Sequence, residues 1–195
     1  MKIKSVSETK ALKYLKSFEI HYLDKKENPK TWELVSRGTL ERLESEIHRG
    51  KIISDGTMIF ATDSDRKKVV VLKEFRISAG HDVYMLPAGL SDGDEDVKMT
   101  AVREFWEETG LTFHYEMSSK ARYASVGLTN ERIQIAFGTY TGEVDLSHLS
   151  DEEEVEVLFV DREMAKHILE HEDVCVRSAL LLEDFFKLNA FFHHE

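Results

Sequence analysis

The chain has 195 residues, 37 acidic against 26 basic for a formal net charge of −11, 42% hydrophobic residues and a single cysteine. That length suits one large domain or a domain with a substantial extension, and the acid excess argues against a nucleic-acid partner, since such affinity rests on neutralising phosphates with Lys and Arg. No apolar run approaches the roughly 18 residues that would span a bilayer, the lysine-rich start lacks the form of a secretory signal, and the lone Cys175 excludes an internal disulfide and suits a reducing compartment, so a cytoplasmic protein with no membrane partner is expected.

In chain order, "SFEIHYLD" (17–24) and "TWELVSRG" (31–38) read as a strand hairpin across the polar turn "KKENPK". "TLERLESEIHRG" (39–50) carries Leu40, Leu43 and Ile47 at helical spacing and stops at Gly50. "GTMIFATD" and "KKVVVLKEF" follow as strands, and "HDVYMLPAGL" as a strand running into a loop. From Asp94 to Thr109 the pattern is helical, with Gly110 at the left-handed stop position. "YASVGLTNERIQIAFGTYTG" offers strand, loop and strand, "EVEVLFVD" another strand, and "REMAKHILEHE" and "CVRSALLLEDFFKLNAFF" two closing helices. Strands and helices alternate without a regular βαβ rhythm, so a mixed sheet covered by helices is expected. The first 54 residues read as a hairpin-and-helix extension and residues 55–195 as the main domain.

The helix around "REFWEETG" (103–110) gathers carboxylates that repel one another. With Arg103 at zero and about 100° per residue, Glu107 lies at about 40°, Glu104 at about 100° and Glu108 at about 140°. Met99, Val102, Phe105 and Trp106 fill the arc from about 200° to 320°, which is expected to face a core. Arg103 and Glu107 form an opposite-charge i,i+4 pair. On the helix alone, a solvated acidic face and a site for a hard cation such as Mg²⁺ or Mn²⁺ both remain open. A bound cation would turn the repulsion into attraction, and would let an acidic chain take a phosphorylated ligand.

The residues upstream narrow the choice. "PAGLSDGDEDVKMTAVREFWEETGL" matches G-x5-E-x7-R-E-U-x-E-E-x-G-U, U being bulky and apolar, at Gly89, Glu95, Arg103, Glu104, Phe105, Glu107, Glu108, Gly110 and Leu111. This pattern is the Nudix box, and the chain resembles the Nudix hydrolases over about residues 55 to 165. The resemblance implies an α/β/α sandwich and divalent-metal-dependent hydrolysis of a nucleoside diphosphate linked to another moiety. It implies Glu104, Glu107 and Glu108 as metal ligands and catalytic residues, joined by the backbone carbonyl of Ala88 or Gly89. Arg103 would support them, commonly through Glu95, and Gly89 and Gly110 would be structural.

"VVVLKEFRISAGHDVYMLPAGL" is similar to the ADP-ribose pyrophosphatase branch, which implies Arg76 as a phosphate or ribose contact. In that branch an extension like the one carrying Trp32 serves homodimerisation and adenine binding, and a loop glutamate, here Glu131 in "SVGLTNE", is a candidate base or extra ligand. Val126 departs from a proline common there, and "AGLSDGDED" also resembles the GDP-mannose-hydrolysing branch. The alternatives to an ADP-ribose or nucleotide-sugar pyrophosphatase are a hydrolase of modified nucleoside triphosphates and a non-catalytic sensing module.

Other short patterns carry less. "HILEH" (167–171) fits H-x-x-E-H, but its short helix also carries packing residues Ile168 and Leu169. "DGDED" (92–96) fails as a calcium loop, because Val97 and Arg103 stand where glycine and glutamate belong. Ser78 and His81 lack a nucleophile elbow, "DEEE" (151–154) reads as a solvated run, Cys175 as core, and "FFKLNAFF" as packing or an oligomer contact.

Overall fold

The computed structural model describes residues 2–147, 149 and 154–188. The first three residues of "DEEE" and the end of "FFKLNAFF" lie outside the described residues. By its contacts the chain divides into two units, residues 1–56 with 120–134, and residues 57–119 with 135–195.

The first unit is a three-stranded antiparallel sheet in the order β1 (Lys2–Ala11), β2 (Lys16–Leu23), β3 (Pro29–Ser36), with helix α1 (Leu40–Arg49). The hairpin partners expected from sequence are β2 and β3, with Phe18 opposite Leu34 and Ile20 opposite Trp32. β1 has no counterpart in the sequence reading. Its core-facing alternation rests on Val6 alone among polar neighbours, too weak a period to recognise. Val6, Phe18, Leu34 and Leu43 form one small core, which Leu40 and Ile47 of α1 join as the helical spacing predicts. Thr39 caps α1 by accepting from the Arg42 amide, and Gly50 ends it in the left-handed conformation.

The same unit holds the short strand β9 (Arg122–Tyr123), paired with the opening residues Arg132 and Ile133 of β10 (Arg132–Thr141). A buried polar network braces it. Arg42 contacts Glu46 at 2.9 Å and Asp55 at 2.8 Å, Asn130 donates to Glu46 at 2.7 Å, and the Arg132 amide donates to Asp55 at 2.9 Å. Burial works against the Arg42 charge, but the hydrogen bond to Glu46 and the nearby Asp55 outweigh it, and the guanidinium pKa is raised.

In the second unit a sheet runs β11 (Val155–Val160), β5 (Val69–Arg76), β4 (Gly56–Thr62), β10, β8 (Thr112–Ser118), with β6 (His81–Met85) on β5 and β7 (Ala88–Leu90) on β4. The segment read as one strand into a loop is thus two strands broken at Leu86–Pro87. Val69 to Leu72 are fully buried, a continuous apolar run suited to a strand covered on both faces. The alternation of β4 sorts its neighbours. Ile59 and Ala61 belong to the cluster containing Ala101 and Phe105 of helix α2 (Val97–Thr109), whereas Phe60 meets Phe185 of helix α4 (Val176–Phe186) at 5.2 Å. Helices therefore cover both faces, the α/β/α layering expected. Helix α3 (Arg162–His171) is capped by Asp161, whose side chain accepts from the Met164 amide.

Candidate active site

The site is built on α2 and the turn before it. Asp96 caps the helix by accepting from the Met99 amide at 2.9 Å, and Gly110 closes it with φ +73°. The rotation arithmetic separates the faces correctly, but their surroundings are the reverse of what the charge pattern suggests. The buried residues are Thr100, Ala101, Phe105 and Thr109, an arc from about 60° to 240° that encloses Glu104 and Glu108. Met99, Val102 and Trp106, expected in a core, are exposed, and of that arc only Phe105 is buried. Sorting residues by polarity places carboxylates outward. Here Glu104 and Glu108 turn inward because specific partners receive them, while Glu107 stays exposed.

Arg103 is the main partner. Its Nε and Nη2 donate to the two oxygens of Glu95 at 2.9 and 2.8 Å, and Nη2 also donates to the Leu90 carbonyl at 2.9 Å. Its Nη1 donates to Glu104 at 2.9 Å and Glu107 at 3.0 Å. The hydrogen bonds from Arg103 pull Glu95 down to about 2, and those same bonds raise the arginine pKa. Glu104 goes the other way. Burial pushes its carboxyl up against the attraction of Arg103, its side chain being 15% exposed. Glu108 accepts from the Ala88 amide at 3.1 Å. Gly89 lets the Glu104 carboxylate pass directly over β7, since a Cβ there would lie 1.7 Å from its Cδ.

Glu104, Glu107 and Glu108 line a cavity of about 590 Å³ together with Ala88, Gly89 and Leu90 of β7, Glu74 and Arg76 of β5, Met85, Trp106 and Leu149. Arg76 pairs with Glu74 at 2.6 Å. Of the residues singled out from sequence, the second unit therefore joins Arg76, Ala88, Gly89, Glu104, Glu107 and Glu108 in one cavity, with Arg103 and Glu95 bracing it. Trp32 and Glu131 belong to the first unit. There Trp32 is half-exposed on β3, and Glu131 pairs with Arg37 at 3.2 Å. Sequence reasoning missed Glu74, Met85, Leu90, Trp106 and Leu149. The strand alternation that puts Glu74 on the face of Arg76 was the available signal for the first.

The donors suit a hard divalent cation: three carboxylates and backbone carbonyls, with a cradle at Gly89 that any side chain would fill. Among the described residues no three Asp, Glu, His or Cys side chains are already gathered as a metal-holding group. Arg103 holds Glu104 and Glu107, and a cation would compete with it for them. His167 and His171 of "HILEH" meet edge-on at 4.8 Å between ring centroids, without a third such ligand.

The NUDIX domain family matches residues 54–179, well over half of the chain, and the chain belongs to that family. It is 29% identical over 120 residues to an ADP-ribose pyrophosphatase of Bacillus subtilis, covering 61% of this chain and 65% of that protein. It is 28% identical over 144 residues to an ADP-ribose pyrophosphatase of Saccharomyces cerevisiae, covering 73% of this chain and 58% of that one. The matched regions span less than two thirds of the length of these two relatives. A crystal structure of an ADP compounds hydrolase shares the fold, with a TM-score of 0.71 at 16% identity over 95% of this chain and 93% of that one.

Proposed function

We propose that the protein is a divalent-metal-dependent pyrophosphatase that hydrolyses ADP-ribose, or a related nucleoside diphosphate sugar, to a nucleoside monophosphate and a sugar phosphate. The observation that carries this reading is the cavity in which Glu104, Glu107 and Glu108 meet Arg76. An anionic pyrophosphate needs its charge neutralised before water can attack it. Arg76 offers a planar cation suited to phosphate oxygens. Glu104, Glu107 and Glu108, with the carbonyl of Ala88, would hold Mg²⁺ or Mn²⁺. Such an ion, when bound, neutralises phosphate charge and acidifies a water.

The water oxygen forms a bond to one phosphorus, and the bond from that phosphorus to the bridging oxygen breaks. The bridging oxygen leaves with the other phosphate, and a carboxylate takes the water's proton. Glu131 is our candidate for that carboxylate, and Glu131→Gln tests it. We read the first unit, with Trp32, as a homodimer surface that contributes to ligand binding, and sedimentation of the full chain tests the dimer.

The decisive experiment is a substrate panel with Mg²⁺ or Mn²⁺: ADP-ribose, GDP-mannose, UDP-glucose, diadenosine polyphosphates and nucleoside triphosphates. AMP and ribose 5-phosphate should accumulate from ADP-ribose, and Glu108→Gln should slow their release by orders of magnitude in a folded protein. Turnover of triphosphates alone would overturn the sugar assignment. Tight binding with no turnover of any compound would make the protein a sensor.

A further inference from the structure

The structure assigns Trp106 as a specificity-determining residue of this cavity, the wall against which an organic ring carried on the substrate's phosphates packs. The inference rests on the functional reading above and extends it to the group beyond the pyrophosphate. Trp106 sits between buried Phe105 and the acidic Glu107, yet is 45% exposed. It lines the cavity with Met85, Leu90 and Leu149, while Glu104, Glu107, Glu108 and Arg76 supply its charged lining. With Arg76 and divalent cations held by Glu104, Glu107 and Glu108 offsetting these carboxylates and Glu74, that lining would take the anionic centre of a nucleoside diphosphate sugar. The apolar ones suit what flanks that centre, a nucleoside on one side and a sugar ring on the other.

The shared cavity sets the reach. Trp106 and Glu107 both line the cavity, so a ring tethered to a phosphate bound there falls within range of the indole. An indole face packs on a purine or on the C–H face of a sugar, and neither needs a donor or acceptor from the wall.

The test uses the chain's two tryptophans, Trp32 and Trp106. The wild-type emission less that of Trp106→Phe, which keeps the native Trp32, belongs to Trp106. Titration with AMP and, separately, with ribose 5-phosphate, each with Mg²⁺, should change that emission for at least one of them, and which one identifies the ring that packs there. Trp106→Ala should raise KM for the substrate turned over by about ten- to a hundredfold, with kcat within about threefold. Trp106→Phe should restore most of the loss. An unchanged KM in Trp106→Ala, together with emission unmoved by either product, would overturn the assignment in an enzyme that still cleaves nucleoside diphosphate sugars. Absence of cleavage by the wild-type protein would instead remove the functional reading. A lowered melting temperature in Trp106→Ala is handled by Trp106→Phe: a packing role alone predicts recovered stability there and no change in the Trp106 emission of the wild-type protein on titration.

Discussion

Two carboxylates bonded to the same arginine titrate in opposite directions, and the difference is local. Glu95 gives both oxygens to Arg103 and is held at about 2, while Glu104 is raised by its burial over Gly89. A depressed carboxyl contributes stability that is complete above its unfolded value and is lost as pH falls through its folded value. The melting-temperature gap between wild type and Glu95→Gln should therefore be constant above about pH 5 and close as pH falls from about 4.5 towards about 2. A gap that persists unchanged at pH 2 would show that the Arg103 pair is not its source. Gly89 makes a complementary demand. In Gly89→Ala the new methyl meets the end of a flexible side chain, so the fold should survive while Glu104 is displaced. Activity should fall at least about a hundredfold with the melting temperature within about 3 °C, checked by kinetics and calorimetry on one preparation.

At the level of elements, α2 shows what the sequence reveals and what it hides. Its limits were legible because caps are local chemistry: Asp96 and Gly110 stand where a polar acceptor and a left-handed residue are needed. The spacing of the box located all three acidic residues. The orientation of the helix was not legible, because it depends on an amide of β7, on a missing Cβ at Gly89 and on the reach of Arg103, none of which hydropathy encodes. The same limit hid β1, whose strand character comes from pairing with β2 rather than from its own pattern. Gly110 combines both sources. Its φ of +73° follows from its place after the helix, and its Cβ would lie 2.5 Å from the Asp145 amide nitrogen, which only the tertiary structure reveals. Gly110→Ala should thus cost more than the roughly 1–2 kcal/mol of a left-handed alanine. That lowers the melting temperature by at least about 2–4 °C. A neutral result would mean that the 143–147 segment yields freely.

For the whole molecule, charge sets the terms of encounter. A net charge of −11 repels an anionic substrate at a distance, whatever the cavity offers on contact. Raising NaCl from 10 to 150 mM shortens the screening length from about 30 to about 8 Å. At saturating metal, kcat/KM should accordingly rise, by about twofold or more. A fall would show that attraction to local cations such as Arg76 dominates. The family match over residues 54–179 leaves the whole β1–β3 sheet outside. Arg103 divides the active centre itself. Its Nη1 bonds Glu104 and Glu107, the groups a cation would draw away, while Nε and Nη2 bond Glu95 and the Leu90 carbonyl, with Asp92 at 3.8 Å from Nη2. The guanidinium is thus a clasp with a fixed half and an exchangeable half. A cation drawn to one side would leave intact the turn that the other side keeps shut.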